Sequence, residues 1–352
     1  MASVQKQFEA FHDTIKLKQF GENQTLREKR DIIREKLEDH LPDVFAQHGE
    51  ACPTFFFRDQ GSYEMRTGTQ PLDGDYDIDQ GLYFAVSTAD YPDPVVLKER
   101  VYEALIGHTN DVQIRRPCVT VFYQRDSESI YHVDLAIYSS GLHNADGKSR
   151  LAKGRENWTE AFRVWEVSSP QTLADTIWAR FDGNDRRQFR RIVRYLKRWR
   201  DEHFPKGGNA APLGIGLTIA TYDHLQPTYT DVVAGKADDL AALRTLVQAM
   251  LGRFVSVWDS DEQKWVRRLS VTLPVEPWND LFAQMTNRQM ATFEDALKTL
   301  QAALDAAADE IDPEEACKEL QKVFGEDFPV PQKEETAKRH VPAIVSSSSS
   351  AA

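Results

Sequence analysis

Four aspartates, Asp73, Asp75, Asp77 and Asp79, stand at alternate positions in the stretch QGSYEMRTGTQPLDGDYDIDQG at residues 60–81. Like charges this close repel one another unless a cation compensates them, and aspartate is disfavoured in β-strands. Alternate positions on a strand share one face, so carboxylates at i and i+2 can form part of an oxygen site for a hard cation such as Mg²⁺. The spacing therefore predicts a metal site formed by some of the four.

A calcium loop of the EF-hand type is the nearest alternative, because Asp73, Asp75 and Asp77 occupy its first, third and fifth positions. That loop needs glycine at the sixth position and a bidentate glutamate at the twelfth. This chain has Ile78 and Phe84 there, which excludes the alternative. The PLDGD segment instead has the proline, aspartate and glycine of a turn, to which we assign the first two aspartates.

The third carboxylate of the predicted site is Asp134, which interrupts the β-prone segment IYHVDLAIY at residues 130–138. Taken alone, this aspartate could equally cap a loop or pair with an arginine. Asp77 and Asp79 occupy the polar face of a strand, and Asp134 likewise alternates with apolar residues. Three such carboxylates can hold one or two magnesium ions, which lower the pKa of an attacking hydroxyl and neutralise a leaving pyrophosphate. This chemistry is nucleotidyl transfer.

A Gly-Ser pair, Gly61 and Ser62, follows a predicted strand at 54–60. Glycine lets backbone amides approach a phosphate, and the serine hydroxyl adds a donor. The pair alone is common in turns, but the chain has neither a GxxxxGK[ST] nor a GxGxxG motif as another phosphate site. The combination of this pair with the carboxylates predicts a nucleotidyltransferase.

A basic segment, RRQFRRIVRYLKRWR at 186–200, provides positive charge that would attract polyphosphate in an otherwise acidic chain. At helical spacing, Lys197 shares a stripe with Arg190 and Arg194, opposite an apolar stripe. A solvated charged face is the alternative. We assign Lys197 as a phosphate contact.

Composition limits the class of protein. With 352 residues the chain is long enough for two packed domains. Its net charge of −12 argues against stable binding of long nucleic acid. Its three cysteines lack metal-ligand spacing, and no apolar run approaches the ~20 residues of a membrane span. Since the first residues show no secretory pattern, we expect a cytoplasmic protein without a membrane partner.

The periodicity changes along the chain from mixed to helical. Two N-terminal helices, several strands and one further helix precede a series of long helices. The later helices are predicted at 171–182, 184–203, 212–225, 238–255, 287–310 and 313–325. We therefore predict an α+β fold with domains at 1–155 and 156–325. The proline- and serine-rich residues 326–352 predict a flexible tail.

A resemblance to a known family is carried by four motifs: Gly61-Ser62, Asp77-Ile78-Asp79, His132-Val133-Asp134 and LKRW at 196–199. Together they resemble the cGAS/DncV-like nucleotidyltransferases of bacterial CBASS antiphage systems, most closely the Vibrio cyclic dinucleotide synthase type. The resemblance implies a polymerase-beta-like fold, with a mixed sheet, a helical second lobe and the active site in the cleft between them. The Gly-Ser and aspartate pattern alone defines only the wider polymerase-beta-like superfamily.

The resemblance also implies roles for individual residues. Asp77, Asp79 and Asp134 carry over as catalytic ligands of Mg²⁺ or Mn²⁺, with two ions expected. The implied nucleotide-binding residues are Gln60, Gly61, Ser62, Arg116, Lys197 and Gly214. Two positions depart from the family pattern, since Gly214 stands where relatives have a serine-bearing segment, and the expected arginine before a central strand falls at Arg115 or Arg116.

The implied reaction joins NTPs, ATP and GTP above all, into a cyclic di- or trinucleotide second messenger without a template. In such systems the messenger activates a co-encoded effector in antiviral defence, and an E1/E2-like enzyme can conjugate the C-terminus of the synthase. Two alternatives stay open. One is a polymerase-beta-like transferase that adds a nucleotide to RNA or protein, and the other is a nucleotide-binding protein that has lost catalysis.

Overall fold

The computed structural model describes residues 3–17, 22–72, 74–125, 128–204 and 211–331. Asp73 and most of the predicted tail, residues 332–352, lie outside these ranges. The helices are α1 (Gln5–Ile15), α2 (Glu22–Gln47), α3 (Gly61–Glu64), α4 (Val95–Leu105), α5 (Pro170–Arg180), α6 (Gly183–His203), α7 (Gly214–His224), α8 (Asp239–Gly252), α9 (Asn287–Asp309) and α10 (Pro313–Phe324). The strands are β1 (Phe55–Asp59), β2 (Tyr76–Phe84), β3 (Asp111–Ile114), β4 (Val119–Arg125), β5 (Glu128–Ser139), β6 (Arg150–Lys153), β7 (Val164–Val167), β8 (Tyr229–Asp231), β9 (Lys236–Ala237), β10 (Val255–Asp259) and β11 (Lys264–Arg268).

A mixed sheet occupies the first half of the chain. Its order is β1-β2-β5-β4-β3, and β6 and β7 continue it from the end of β5. The central strands β2 and β5 are parallel, whereas β1 and β4 flank them antiparallel. Alternate residues of the central pair, such as Ile78 and Val133, are buried with apolar side chains of α2 and α4 in one core. The opposite face is left for polar residues.

Helices α5 to α10 form a second core, with α6 at its centre. We call these helices the helical half, and the sheet with α2 and α4 the sheet half. The apolar stripe of α6, which includes Ile192, Leu196 and Trp199, is fully buried in this core. The predicted α+β class is therefore confirmed, with a mixed sheet followed by helices. No helix within the described ranges has both the length and the hydropathy that a membrane span requires.

Two hairpins, β8–β9 and β10–β11, were not predicted, because the sequence after residue 157 indicated little strand character. Most residues of β10 and β11 are exposed. A hairpin that buries neither face leaves no alternation of apolar and polar residues for sequence analysis to detect.

Helix α1 packs with the helical half, although the predicted domain 1–155 grouped it with the sheet. Phe8, Phe11 and Ile15 are fully buried in the helical core. The hydroxyl of Tyr195, on α6, donates to the Phe8 carbonyl at 2.8 Å. Contacts between residues this distant in sequence have no local signature, so periodicity alone located the helix but not its partner. The domain limits themselves stay a prediction.

The predicted tail begins too early at residue 326. Phe328 is fully buried, and its ring centroid lies 5.1 Å from those of both Phe8 and Phe11. Its carbonyl accepts a hydrogen bond from Gln321 at 3.0 Å. The prolines around this residue suggested a tail, but one aromatic side chain buries enough apolar area to order the segment.

We predict that Phe328→Ala lowers the free energy of unfolding by about 3–5 kcal/mol, because it leaves a cavity among packed rings. Chemical denaturation followed by circular dichroism measures the change. Ile311→Ala is the control, since this side chain is 81% exposed. Equal stabilities of the two variants would contradict the packing of Phe328.

Candidate active site

The three predicted metal ligands lie on the two central strands. In the parallel register of β2 and β5, Asp79 is paired with Asp134 and Asp77 with His132. Burial and the neighbouring charges of Asp77 and Asp134 raise the pKa of Asp79 to about 7. The carboxylates thus form one electrostatic cluster on the face of the sheet opposite the apolar core.

Asp134 is held by a residue that sequence analysis missed. Thr120 lies opposite it on β4, is fully buried, and donates from Oγ1 to Asp134 Oδ1 at 2.5 Å. Cys118 Sγ lies 3.4 Å from the same threonine hydroxyl. Burial, with the charge of Asp134, raises the pKa of Cys118 to about 12, so it remains a thiol. The polar face of the VTV segment was the only available signal for Thr120.

The Gly61-Ser62 turn approaches Asp79 closely. Gly61 has φ +65°, and a Cβ built on it would lie 1.7 Å from Asp79 Oδ2. No other residue fits this position, because its conformation and its lack of a side chain are both required. Gln60, just before it, is buried, donates to the Tyr83 hydroxyl at 3.0 Å and accepts from the Tyr138 hydroxyl at 3.2 Å.

A cavity of about 440 Å³ brings most predicted site residues together. Its lining includes Gln60, Gly61, Ser62, Asp77, Asp79, Lys197 and Gly214. A second cavity, of about 500 Å³, contains His132 and shares Ser62, Thr69, Asp77 and Arg200 with the first. We call the two together the cleft. Asp77 therefore stands where two spaces of similar size meet.

Arg116 lines neither cavity of the cleft. Its side chain is exposed, and its carbonyl accepts from the fully buried Lys98 ammonium at 3.0 Å. Arg115, the other arginine considered, lies 4.9 Å from the Phe122 ring centroid. The structure thus does not bring the expected arginine to the cleft, because Lys98 holds this turn by its backbone.

Lys197 joins the helical half to the sheet half beside the cleft. Its buried Nζ donates to the Thr67 carbonyl at 3.1 Å and contacts Thr67 Oγ1 at 3.4 Å. Burial and the charge of Arg200 lower its pKa to about 8, while the charge of Asp77 opposes this. At neutral pH Lys197 is therefore still mostly a cation, facing the carboxylate cluster.

Gly214, the first residue of α7, leaves room for an arginine. A Cβ at this position would lie 2.7 Å from Nη1 of Arg200. Arg200 lines both cavities of the cleft and pairs with Asp201 at 2.5 Å. A guanidinium thus occupies the region where the resemblance implied a serine, and sequence analysis did not single it out within the basic helix.

The carboxylate cluster has the donor chemistry of a magnesium or manganese site. Its ligands are hard oxygens, and the repulsion that raises the pKa of Asp79 is of the kind a bound cation would offset. As they stand, no three His, Cys, Asp or Glu side chains among the residues described lie close enough together to hold an ion. Asp77, Asp79 and Asp134 fit such an ion by donor type and charge.

Comparison with known families gives a match, which lies in the sheet half. Residues 55–138 match the model described as cyclic GMP-AMP synthase DncV-like, nucleotidyltransferase domain. A cyclic GMP-AMP synthase of Escherichia albertii is 25% identical over 208 residues, which are 56% of this chain and 42% of that protein. The match therefore spans less than half of the length of that relative.

Comparison with solved structures extends to nearly the whole chain. The Vibrio cholerae DncV cyclic AMP-GMP synthase has a TM-score of 0.66 at 17% identity, over 92% of this chain and 96% of that one. The Escherichia coli MS115-1 CdnC in a HORMA-deltaN complex has a TM-score of 0.61 at 19% identity, over 92% and 98%. These similarities confirm the polymerase-beta-like nucleotidyltransferase fold.

We predict that Asp79→Asn stabilises the metal-free protein at high pH. A carboxyl whose folded pKa is near 7, against about 3.9 unfolded, contributes stability below pH 4 that is lost as the pH rises through 7. The variant should therefore be more stable than wild type at pH 8, by up to about 4 kcal/mol, and should match it near pH 4. Denaturation in chelator across this range tests it, with exposed Asp39→Asn as control. Parallel curves for all three proteins would contradict the shift.

A second prediction concerns Thr120. Thr120→Val removes the donor to Asp134 while preserving shape, so we expect a loss of about 1.5–3 kcal/mol, the range for a hydrogen bond to a charged group. Thr120→Ser keeps the hydroxyl and should recover most of this loss. Equilibrium denaturation at pH 8 provides the comparison. If serine and valine destabilise equally, packing rather than the hydrogen bond explains the effect.

Proposed function

Because residues 55–138 match the DncV-like nucleotidyltransferase domain model, we propose that the protein is a metal-dependent, template-independent synthase of a cyclic di- or trinucleotide. The observation that carries the proposal is one cleft lined by Asp77, Asp79, Ser62 and Lys197. A carboxylate cluster opposite phosphate-binding donors is the arrangement that nucleotidyl transfer needs. The names of the relatives, cyclic GMP-AMP synthases, favour purine NTPs as substrates.

The chain's own residues would divide the work as follows. Asp77, Asp79 and Asp134 would hold Mg²⁺ or Mn²⁺, which when bound lowers the pKa of the attacking hydroxyl and neutralises the leaving pyrophosphate. Ser62 would donate to a phosphate oxygen, with Lys197 as a nearby point charge. Thr120 keeps Asp134 oriented through its hydrogen bond. Holding the two reacting nucleotides close together in the cleft would account for the remaining rate acceleration.

The two cavities of the cleft support the use of two nucleotides. They measure about 440 and 500 Å³ and meet at Asp77, so a donor and an acceptor can flank the same carboxylate. The Vibrio cholerae enzyme has also been solved with the linear intermediate 5′ pppA(3′,5′)pG. We infer the same order here, with one bond formed first and ring closure second.

A transferase that modifies RNA or protein is the second candidate. The basic helix α6 favours it, but much of its charge is already engaged within the protein. Arg191 pairs with the buried Asp239 at 2.6 Å, and Arg198 donates to the Gln70 carbonyl at 2.9 Å. With a net charge of −12 the chain lacks the general basic surface that RNA binding favours.

Antiviral defence is the proposed setting, with a cytoplasmic enzyme whose cyclic product activates a co-encoded effector. The structural relative CdnC has been solved with a HORMA-deltaN partner, which makes a regulatory protein partner part of the proposal. Conjugation of the C-terminus by an E1/E2-like enzyme also remains proposed, and the terminal residues 332–352 lie outside the described ranges.

We predict phosphatase-resistant cyclic products when the purified protein is incubated with radiolabelled ATP, GTP, CTP and UTP and Mg²⁺ or Mn²⁺. Asp77→Ala/Asp79→Ala should reduce them at least ~100-fold, beyond the loss typical of outer-shell partners of a metal site. Thin-layer chromatography after phosphatase treatment measures the products.

The matched control is Asp39→Ala/Asp43→Ala, which removes two exposed carboxylates from α2 and should leave the products unchanged. Label found only on added RNA or on protein would overturn the cyclic product and support the second candidate. Silence with every nucleotide and ion, including in phage-infected lysate, would favour a protein that binds nucleotides without catalysis.

A further inference from the structure

A second, larger groove lies behind α3, between helices α1, α5 and α6. It measures about 1250 Å³ and shares Ser62 and Glu64 with the first cavity of the cleft. Its cationic lining residues are Lys16, Arg27, Arg66, Arg187, Arg190, Arg191 and Arg194, against Glu9, Asp13, Glu64 and Asp175. We call it the arginine groove. A net positive concavity is unexpected in a chain of net charge −12.

The indole of Trp178, on α5, organises the cations. Arg190 lies 4.1 Å from its ring centroid, Arg186 lies at 5.0 Å and Arg66 at 5.1 Å. These distances are within the range of cation–π attraction, which favours guanidinium groups. One aromatic ring thus contacts three guanidinium groups, two from α6 and one from the turn after α3.

These three guanidiniums differ from Arg191, which has an anionic partner. Arg191 is paired with the buried Asp239 at 2.6 Å. Within the ranges described, Arg66, Arg186 and Arg190 form no ion pair with any carboxylate. Burial and the charges of Arg66 and Arg186 lower the pKa of Arg190 to about 10. The repulsion among the three is a cost that a bound anion would relieve.

The backbone of Arg66 provides an independent observation. Its φ of +53° lies in the left-handed region, which is unfavourable for a non-glycine residue. The Arg66 carbonyl accepts from Arg194 Nη2 at 2.6 Å, and this contact holds the conformation. Strain that persists beside a groove, and that positions a guanidinium there, points to a use for that side chain.

We propose that the arginine groove binds an oligophosphate chain, such as that of a nucleoside triphosphate or of inorganic tripolyphosphate, at a site separate from the cleft. Guanidinium groups offer paired N–H donors that match phosphate oxygens. Two of the three guanidiniums around Trp178, those of Arg66 and Arg190, line the groove, where both can contact one compact anion. This assignment goes beyond the proposed synthase activity and does not depend on it.

A long nucleic acid fits the groove less well. The Trp178 face is already covered by guanidinium groups, so it offers no free platform on which bases could stack. Carboxylates such as Glu9 and Asp175 line the same groove as the cations. The phosphate backbone of a nucleic acid that runs through the groove would therefore contact both positive and negative side chains.

The test is isothermal titration calorimetry with sodium tripolyphosphate in chelator, where the uncompensated carboxylates of the cleft repel phosphate. We expect one site per wild-type chain. Arg66→Gly should weaken binding at least ~10-fold while leaving the melting temperature equal or higher, because glycine accepts a positive φ without strain. Arg66→Lys should retain part of the affinity.

Two controls separate the groove from other basic sites. Arg58→Ala removes an exposed guanidinium that lies over Phe56 outside the groove, and it should leave binding unchanged. Arg200→Gln removes a guanidinium that lines both cavities of the cleft but not the groove, and it should also leave tripolyphosphate binding unchanged, so the result stands whether or not cyclic products form. ATP in place of tripolyphosphate identifies the source: tighter binding favours a nucleoside triphosphate, and equal binding an inorganic chain.

Three results would overturn the assignment. They are absence of binding at low-millimolar tripolyphosphate, unchanged binding in Arg66→Gly, and at least ~10-fold tighter binding of a 20-nucleotide single-stranded RNA with the same dependence on Arg66. The last would assign the groove to nucleic acid instead.

Discussion

The in-register pairing of β2 with β5 is the constraint on which the cleft depends. It sets Asp79 beside Asp134 while their neighbours Ile78 and Val133 point into the core. The rise in the pKa of Asp79 to about 7 corresponds to an unfavourable free energy of up to ~4 kcal/mol for the ionised group. Burial of an isoleucine or valine contributes about 1.5–3 kcal/mol each. The apolar face of the same two strands therefore suffices to hold the charged face together.

Helix α6 connects the helical half to the sheet half, because its cationic side chains donate hydrogen bonds to the backbone that follows α3. Arg194 donates to the carbonyls of Arg66 and Gly68, and Lys197 donates to that of Thr67. Hydrogen bonds from charged donors are worth about 1.5–3 kcal/mol each. They fasten the helical half to the loop between the Gly-Ser turn and the aspartates. A merely solvated basic face would not explain these contacts.

Prediction from the sequence succeeded where the residue pattern within a single strand or helix was sufficient. Strand alternation identified the polar face of β2, and helical spacing identified the stripe that contains Lys197. Prediction failed where contacts act across elements: it missed Thr120, and it expected at the site Arg116, which the structure does not bring to the cleft. Thr120 donates a hydrogen bond to Asp134 from the neighbouring strand. The carbonyl of Arg116 accepts a hydrogen bond from the buried Lys98, which holds this turn outside the cleft. Neither relation leaves a trace in local periodicity.

The sequence by itself determined the α+β class, the residue types of the cleft and the helices of the second half, because each follows from short-range pattern and side-chain chemistry. Only the tertiary structure decided that α1 and Phe328 join the helical core, that Arg200 enters the cleft, and that three guanidiniums surround Trp178. These outcomes depend on packing between segments far apart in the chain. Complementary shape and charge select such partners, and a linear pattern does not encode the distances between them.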